Sequence, residues 1–85
     1  MADPNITYFK PVGVGLKFLE TVTLEIDEFE AIRLKDYMKK DQKLCAKEMK
    51  ISQPTLNRTL LSARQKIADA IINAKAIRIN KATKN

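Results

Sequence analysis

The chain has no histidine and no tryptophan, and only one cysteine, two glycines and three prolines among 85 residues. Each scarcity removes a class of chemistry. With Cys45 as the sole thiol and no imidazole, the chain has no histidine base, no Cys-His nucleophile pair, no internal disulfide and no credible zinc set. A chain of this length makes one small domain, with room for a modest core but not for a core plus a roomy catalytic cleft. A non-enzymatic domain without cofactor or metal is therefore expected. No apolar run approaches the ~20 residues that cross a bilayer, and MADPNITYFKP (Met1 to Pro11) lacks the apolar core of a signal peptide. These absences predict a cytoplasmic protein with no membrane partner. The two glycines, in Val12-Gly13-Val14-Gly15, have neither Walker nor dinucleotide spacing and read as a turn.

What is abundant is positive charge, and it is unevenly placed. The net charge is +6 overall. Residues 1–41 hold six Lys/Arg against eight Asp/Glu, whereas residues 42–85 hold ten against two, so the second half carries +8. A phosphate backbone rewards such concentration through counterion release. Lys81 and Lys84, in a polar tail at 81–85, account for only part of it.

The basic half contains QKLCAKEMKISQPTLNRTLL, Gln42 to Leu61, whose spacing predicts a short helix, a tight turn and a second helix. Asp41 is placed to cap the first helix, with Leu44, Cys45, Ala46 and Met49 as its apolar stripe. Ala46 falls where the two helices cross most closely, and Cys45, Met49, Ile51 and Leu56 are the inward-facing positions. Ser52 is placed to cap the second helix, and Pro54 lies in its first turn, where a missing N–H loses no bond. Leu56, Leu60, Ala63, Ile67, Ala70 and Ala74 then recur at helical spacing for about five turns. This is the layout of a helix-turn-helix DNA reader.

At about 100° per residue, Gln53, Asn57, Arg58 and Leu61 lie off the inward stripe and become base-contact candidates. Asn57 and Gln53 suit adenine, Arg58 suits guanine, and Leu61 suits a thymine methyl. Lys43, Lys50, Ser52, Thr55 and Arg64 are the phosphate-contact candidates around the rim. The competing reading of the same residues is a solvated polar face, with Leu61 an ordinary exposed leucine and Cys45 a small core residue.

Other segments complete a mainly α expectation: a three-helix helix-turn-helix domain at 27–80, with a long C-terminal recognition helix and short terminal β-strands, preceded by extended segments in 1–26. Asp27 with Glu30 reads as a capping box for a helix ending near Tyr37, with Phe29, Ile32 and Leu34 as its apolar contacts. Ile6-Thr7-Tyr8-Phe9-Lys10 and Ala76-Ile77-Arg78-Ile79 read as short strands that pair with each other or with a second copy, and Glu20 to Leu24 as a third extended piece. The helix from Pro54 is longer than base reading requires. Its far residues Ile67, Ile71, Ile72 and Ala74 are dimer-interface candidates, and a homodimer would match a palindromic site.

Four segments carry a family resemblance: TYFKP (Thr7 to Pro11), LEIDEFEAIRL (Leu24 to Leu34), ISQPTLNRTLLSARQKIADAI (Ile51 to Ile71) and KAIRI (Lys75 to Ile79). In their order and spacing the chain resembles an uncharacterised family of small bacterial and archaeal predicted DNA-binding proteins, whose helix-turn-helix is similar to region four of sigma-70-type factors. The resemblance implies DNA binding in transcriptional control, with no target or ligand to carry over. Two departures stand out. Fuller relatives tend to begin with a basic, often cysteine-containing arm, and Met1 to Ile6 alone precede the TYFKP segment here, so no contact from such an arm is expected. Lys50 stands in the turn where these motifs usually place glycine.

The leading expectation is a sequence-specific double-stranded DNA-binding regulator with the helix from Pro54 in the major groove. The alternative is a protein-interaction module docking on RNA polymerase or another regulator. RNA ranks third, because no paired aromatics sit on a strand platform to stack bases.

Overall fold

β-branched and aromatic residues at both ends of the chain form strands, and the helical segments pack between them. The computed structural model describes residues 6–81. In chain order it contains β1 (Ile6–Phe9), one 3-10 turn (Leu16–Phe18), β2 (Thr21–Leu24), α1 (Ile26–Ala31), π-helical turns (Ile32–Tyr37), α2 (Gln42–Met49), α3 (Gln53–Asn73) and β3 (Ala76–Asn80). The protein is thus mainly α with a small three-stranded sheet. Of the tail expected at 81–85, residues 82–85 lie outside the described residues.

The sheet has the order β1-β3-β2. β1 runs antiparallel to β3, pairing Phe9 with Ile77 and Thr7 with Ile79. The extended piece at Thr21–Leu24 is a full member, parallel to β3, with Leu24 opposite Ile79. Strand pairing is therefore satisfied within one chain. Leu24, Ile79 and Ala63 are buried together, with Phe29, Ile32, Ile67 and Ile77 packed against them, which joins the sheet to α3.

A second cluster holds the helices. Ala31, Leu34, Cys45, Ala46, Leu56 and Leu60 are buried together, with Ile32, Met49 and Ile51 against them. The small side chain of Ala46 lets α2 and α3 approach each other. Leu44 departs from the expected stripe: it is 39% exposed, whereas Cys45 and Ala46 are buried and Met49 packs against the cluster.

The first helix begins two residues earlier than its acid pattern suggests. Its cap is Glu25, paired in a capping box with Glu28, not Asp27 with Glu30. The reason is the fate of each carboxylate. Glu28 is turned into the fold toward Ser62 and Lys66 of α3, while Glu30 pairs with Arg33 at 2.7 Å on the surface. The helix ends at Tyr37 as expected, but its last six residues are π-helical, with the Met38 amide donating to the Arg33 carbonyl at 2.9 Å. That widening is not encoded in hydrophobic periodicity.

Lysines close two of the helical ends in left-handed geometry, Lys39 at φ 63° and Lys50 at φ 59°. A Cβ in this region costs about 1–2 kcal/mol, and glycine returns part of the gain as chain entropy. Lys50→Gly should therefore stabilise the fold by about 0.5–1 kcal/mol. A raised denaturant midpoint at unchanged slope would show it.

Candidate nucleic-acid interface

α2, three connecting residues and α3 are held in one geometry by their caps. The Asp41 carboxylate accepts from the Leu44 amide at 2.8 Å, and the Ser52 hydroxyl accepts from the Thr55 amide at 3.2 Å. Lys50 turns the chain, its amide donating to the Ala46 and Lys47 carbonyls. From this start α3 buries Leu56, Leu60, Ala63 and Ala70 on one side. Gln53, Asn57, Arg58 and Leu61 are all exposed on the remainder, Leu61 at 66%. Structure and spacing agree on which side of α3 faces outward.

Within that face the side chains are not equivalent. Arg58 projects nearly opposite the buried stripe, at about 100° from Asn57, and donates to the Thr55 hydroxyl at 3.2 Å. Thr55 itself accepts from the Ser52 hydroxyl at 2.9 Å and is half-buried, so it braces Arg58. Asn57 lies on the flank nearer α2, and its Oδ1 accepts a hydrogen bond from the Gln42 side-chain amide. Lys43 and Lys50 are exposed at the rim. Ser52 is occupied in capping.

Arg64, exposed as a rim residue should be, has a partner within the chain. Its guanidinium makes two hydrogen bonds to the Asp36 carboxylate, at 2.6 and 3.0 Å. The same contact holds the Asp36 carboxyl below its ordinary value, opposed by partial burial and aided by Lys35 and Lys39, and raises Arg64 above its own. A phosphate reaching this guanidinium would compete with the Asp36 carboxylate for it. Asp36→Ala should release it, so if the basic face binds a polyanion the logarithmic salt slope steepens by about 1. A binding titration across salt concentrations reads this directly.

The dimer-interface candidates also divide. Ile67 packs into the monomer's own core, because its helical position follows Leu60 and Ala63 on the buried stripe. Ala74 leaves the stripe altogether, since it ends α3 in left-handed geometry at φ 53°. Ile71 and Ile72 remain 69% and 78% exposed. Ile71 borders a shallow apolar groove shared with Phe9, Pro11, Ala70, Ala74 and Ile77.

Three residues that spacing alone did not single out prove central. Gln42 reaches Asn57, Asp36 restrains Arg64, and Glu28 anchors α3. Glu28 Oε1 accepts from Lys66 at 2.8 Å and from the Glu25 amide at 2.9 Å. Its Oε2 accepts from the Ser62 hydroxyl, and Lys66 also donates to the Thr23 carbonyl at 2.7 Å. Burial alone pushes this carboxyl up, but the Glu25 amide, Lys66 and Ser62 outweigh it and leave it below its ordinary value. The only forward signal was the acid-rich helix start.

A family model described as "Protein of unknown function DUF134" matches residues 1–84. The chain belongs to that family. A UPF0251 protein of Caldanaerobacter subterraneus subsp. tengcongensis is 58% identical over 78 residues, covering 92% of this chain and 66% of its own length. A UPF0251 protein of Thermoanaerobacter pseudethanolicus is 54% identical over 78 residues with the same coverage, and one of Moorella thermoacetica is 54% identical over 76 residues, 51% of its own length. The chain therefore spans about two thirds or less of these family members. No solved structure matches it. Among the described residues, no group of three His, Cys, Asp or Glu is placed to hold a metal ion, and no helix is long and apolar enough to cross a membrane.

Proposed function

We propose that this protein is a sequence-specific double-stranded DNA-binding regulator of transcription, with α2 and α3 as a helix-turn-helix of the kind found in region four of sigma-70-type factors. One observation carries the reading: the first turns of α3 expose Gln53, Asn57, Arg58 and Leu61 while the opposite side is locked into the core by Leu56, Leu60 and Ala63. A helix so held can enter a major groove without losing packing. The +8 of residues 42–85 supplies attraction to phosphates. Arg58 is the residue for guanine, and Lys43 and Lys50 are those for phosphate. Ile71 and Ile72 are where a second copy would meet the first on a palindromic site.

Selection of bound duplexes from a random pool, followed by titration across salt, tests the proposal. Arg58→Ala should lose about 1–3 kcal/mol on the selected site and relax the preference at one position. Lys43→Ala should weaken all sequences alike. No measurable duplex affinity at low salt would overturn the reading. Docking on the transcription machinery would instead leave partner binding intact when Gln53, Asn57 and Arg58 are changed together, and abolish it when Leu61 or Ile72 becomes charged.

A further inference from the structure

Two of the arginines, Arg33 and Arg64, are held by the carboxylates of Glu30 and Asp36. Arg58 is held differently. Among the described residues it makes no ion pair, and its Nη2 donates instead to the Thr55 hydroxyl oxygen at 3.2 Å. A guanidinium has only donors, so the direction of this bond is fixed. A neutral oxygen orients the group without cancelling its charge, and it occupies one of five N–H donors, where the N7 and O6 acceptors of guanine need two.

The oxygen that holds Arg58 is itself fixed. Thr55 is half-buried in the first turn of α3, its amide donates to Ser52 Oγ at 3.2 Å, and its hydroxyl oxygen accepts from the Ser52 hydroxyl at 2.9 Å. A β-branched side chain also has little freedom at χ1. Arg58, by contrast, has a long exposed side chain, whose rotamer freedom must be surrendered when a base is bound. The bond to Thr55 reaches three residues back and draws the guanidinium over the first turn, the end of a recognition helix that meets base edges. Without it, the carboxylates of Glu25 and Asp27, which border the same shallow hollow as Arg58, compete for the guanidinium. Building on the DNA-reading function proposed above, we infer that Thr55 is a specificity-determining positioning residue: its hydroxyl pre-sets Arg58 for guanine, and it is not the phosphate contact that its place at the rim suggests.

Thr55→Val keeps the shape of the side chain and the amide bond to Ser52 while removing the acceptor, and Thr55→Ser restores the oxygen. Duplex selection and titration are run on the wild type, Arg58→Ala, Thr55→Val, Thr55→Ser and the Thr55→Val, Arg58→Ala double variant, with thermal melting alongside. Loss of preference in Arg58→Ala marks the position that Arg58 reads. There Thr55→Val should lower the preference for guanine by roughly twofold to tenfold, the effect of having to order one long side chain on binding. It should leave the other positions and the salt slope unchanged, and add nothing once Arg58 is alanine. Thr55→Ser should restore most of the preference.

An equal loss on every sequence, with a salt slope reduced by about 1, would make Thr55 a phosphate contact. A lower melting temperature with base preference unchanged would make it a structural brace. Either result, or a wild-type preference other than guanine at the Arg58 position, or no change in preference in Thr55→Val, overturns the inference while leaving the DNA-binding function standing. Failure of the wild type to bind any duplex at low salt overturns both.

Discussion

Glu28→Ala should lower the unfolding free energy by about 2–3 kcal/mol and the melting temperature by roughly 10–20 °C. The side chain is 7% exposed and faces Lys66, which keeps 34% of its own in contact with solvent. Breaking a fully buried pair costs about 3–5 kcal/mol; the lower figure follows because Lys66 can recover water. Removing the carboxylate deprives the Glu25 amide, Ser62 and Lys66 of one shared acceptor. It thereby loosens α1, α3 and β2 together. The pH dependence follows from the depressed Glu28 carboxyl. Its contribution is fully present above the unfolded value near 4.5 and is lost as pH falls through the lower folded value. Glu30, Asp36 and Asp69 are depressed as well, so acid unfolding is shared. Glu28→Gln should flatten, not abolish, the acid limb of stability measured by denaturant unfolding from pH 7 to pH 2. A limb of wild-type steepness would refute this assignment.

Leu56→Ala should cost about 2–5 kcal/mol, a large share of the roughly 4–13 kcal/mol expected for a chain of this length. Leu56 is completely buried at the start of α3, among Leu34, Cys45, Ala46 and Leu60. It lies one residue from Asn57, so the cavity opens directly beneath the proposed reading face. Chemical denaturation should show a reduced midpoint with unchanged slope. Loss of a few tenths of a kcal/mol or less would mean that the helices collapse around the gap. Proposed DNA affinity should fall with the folded fraction and recover at lower temperature.

The helices were the legible part of this fold. Asp41 and Ser52 mark their caps by residue type, and Leu56, Leu60, Ala63 and Ala70 mark the buried side by spacing, because both signals are local. The terminal strands were legible too, from β-branched runs at Ile6 and Ile77. Their pairing with each other was one of the two expected arrangements; the place of the third extended piece was not legible, because Thr21–Leu24 joins β3 in parallel, a pairing across α1, α2 and α3 that no local pattern encodes. The Asp27–Glu30 box was misplaced because the acids repeat at capping spacing, and only the tertiary position of Lys66 and Ser62 selects Glu28. The same limit applies at the candidate interface. Exposure on α3 was visible in the periodicity, whereas the restraint of Arg64 by Asp36 and of Asn57 by Gln42 joins side chains 28 and 15 residues apart.

The placement of β3 between β1 and β2 also bears on how the molecule is made. Both outer strands leave the ribosome before any of the three helices, yet neither has a sheet partner until Ala76–Asn80 follows. A nascent chain reaching Asn73 can assemble the helical cluster around Leu56, but the apolar residues Leu24 and Ile67 still await Ile79. β3 is the partner that both outer strands wait for. Formation of the sheet is consequently the step with the longest separations in sequence, the kind that contact order associates with slow folding, and a chain stalled just before it has two strands without a sheet partner.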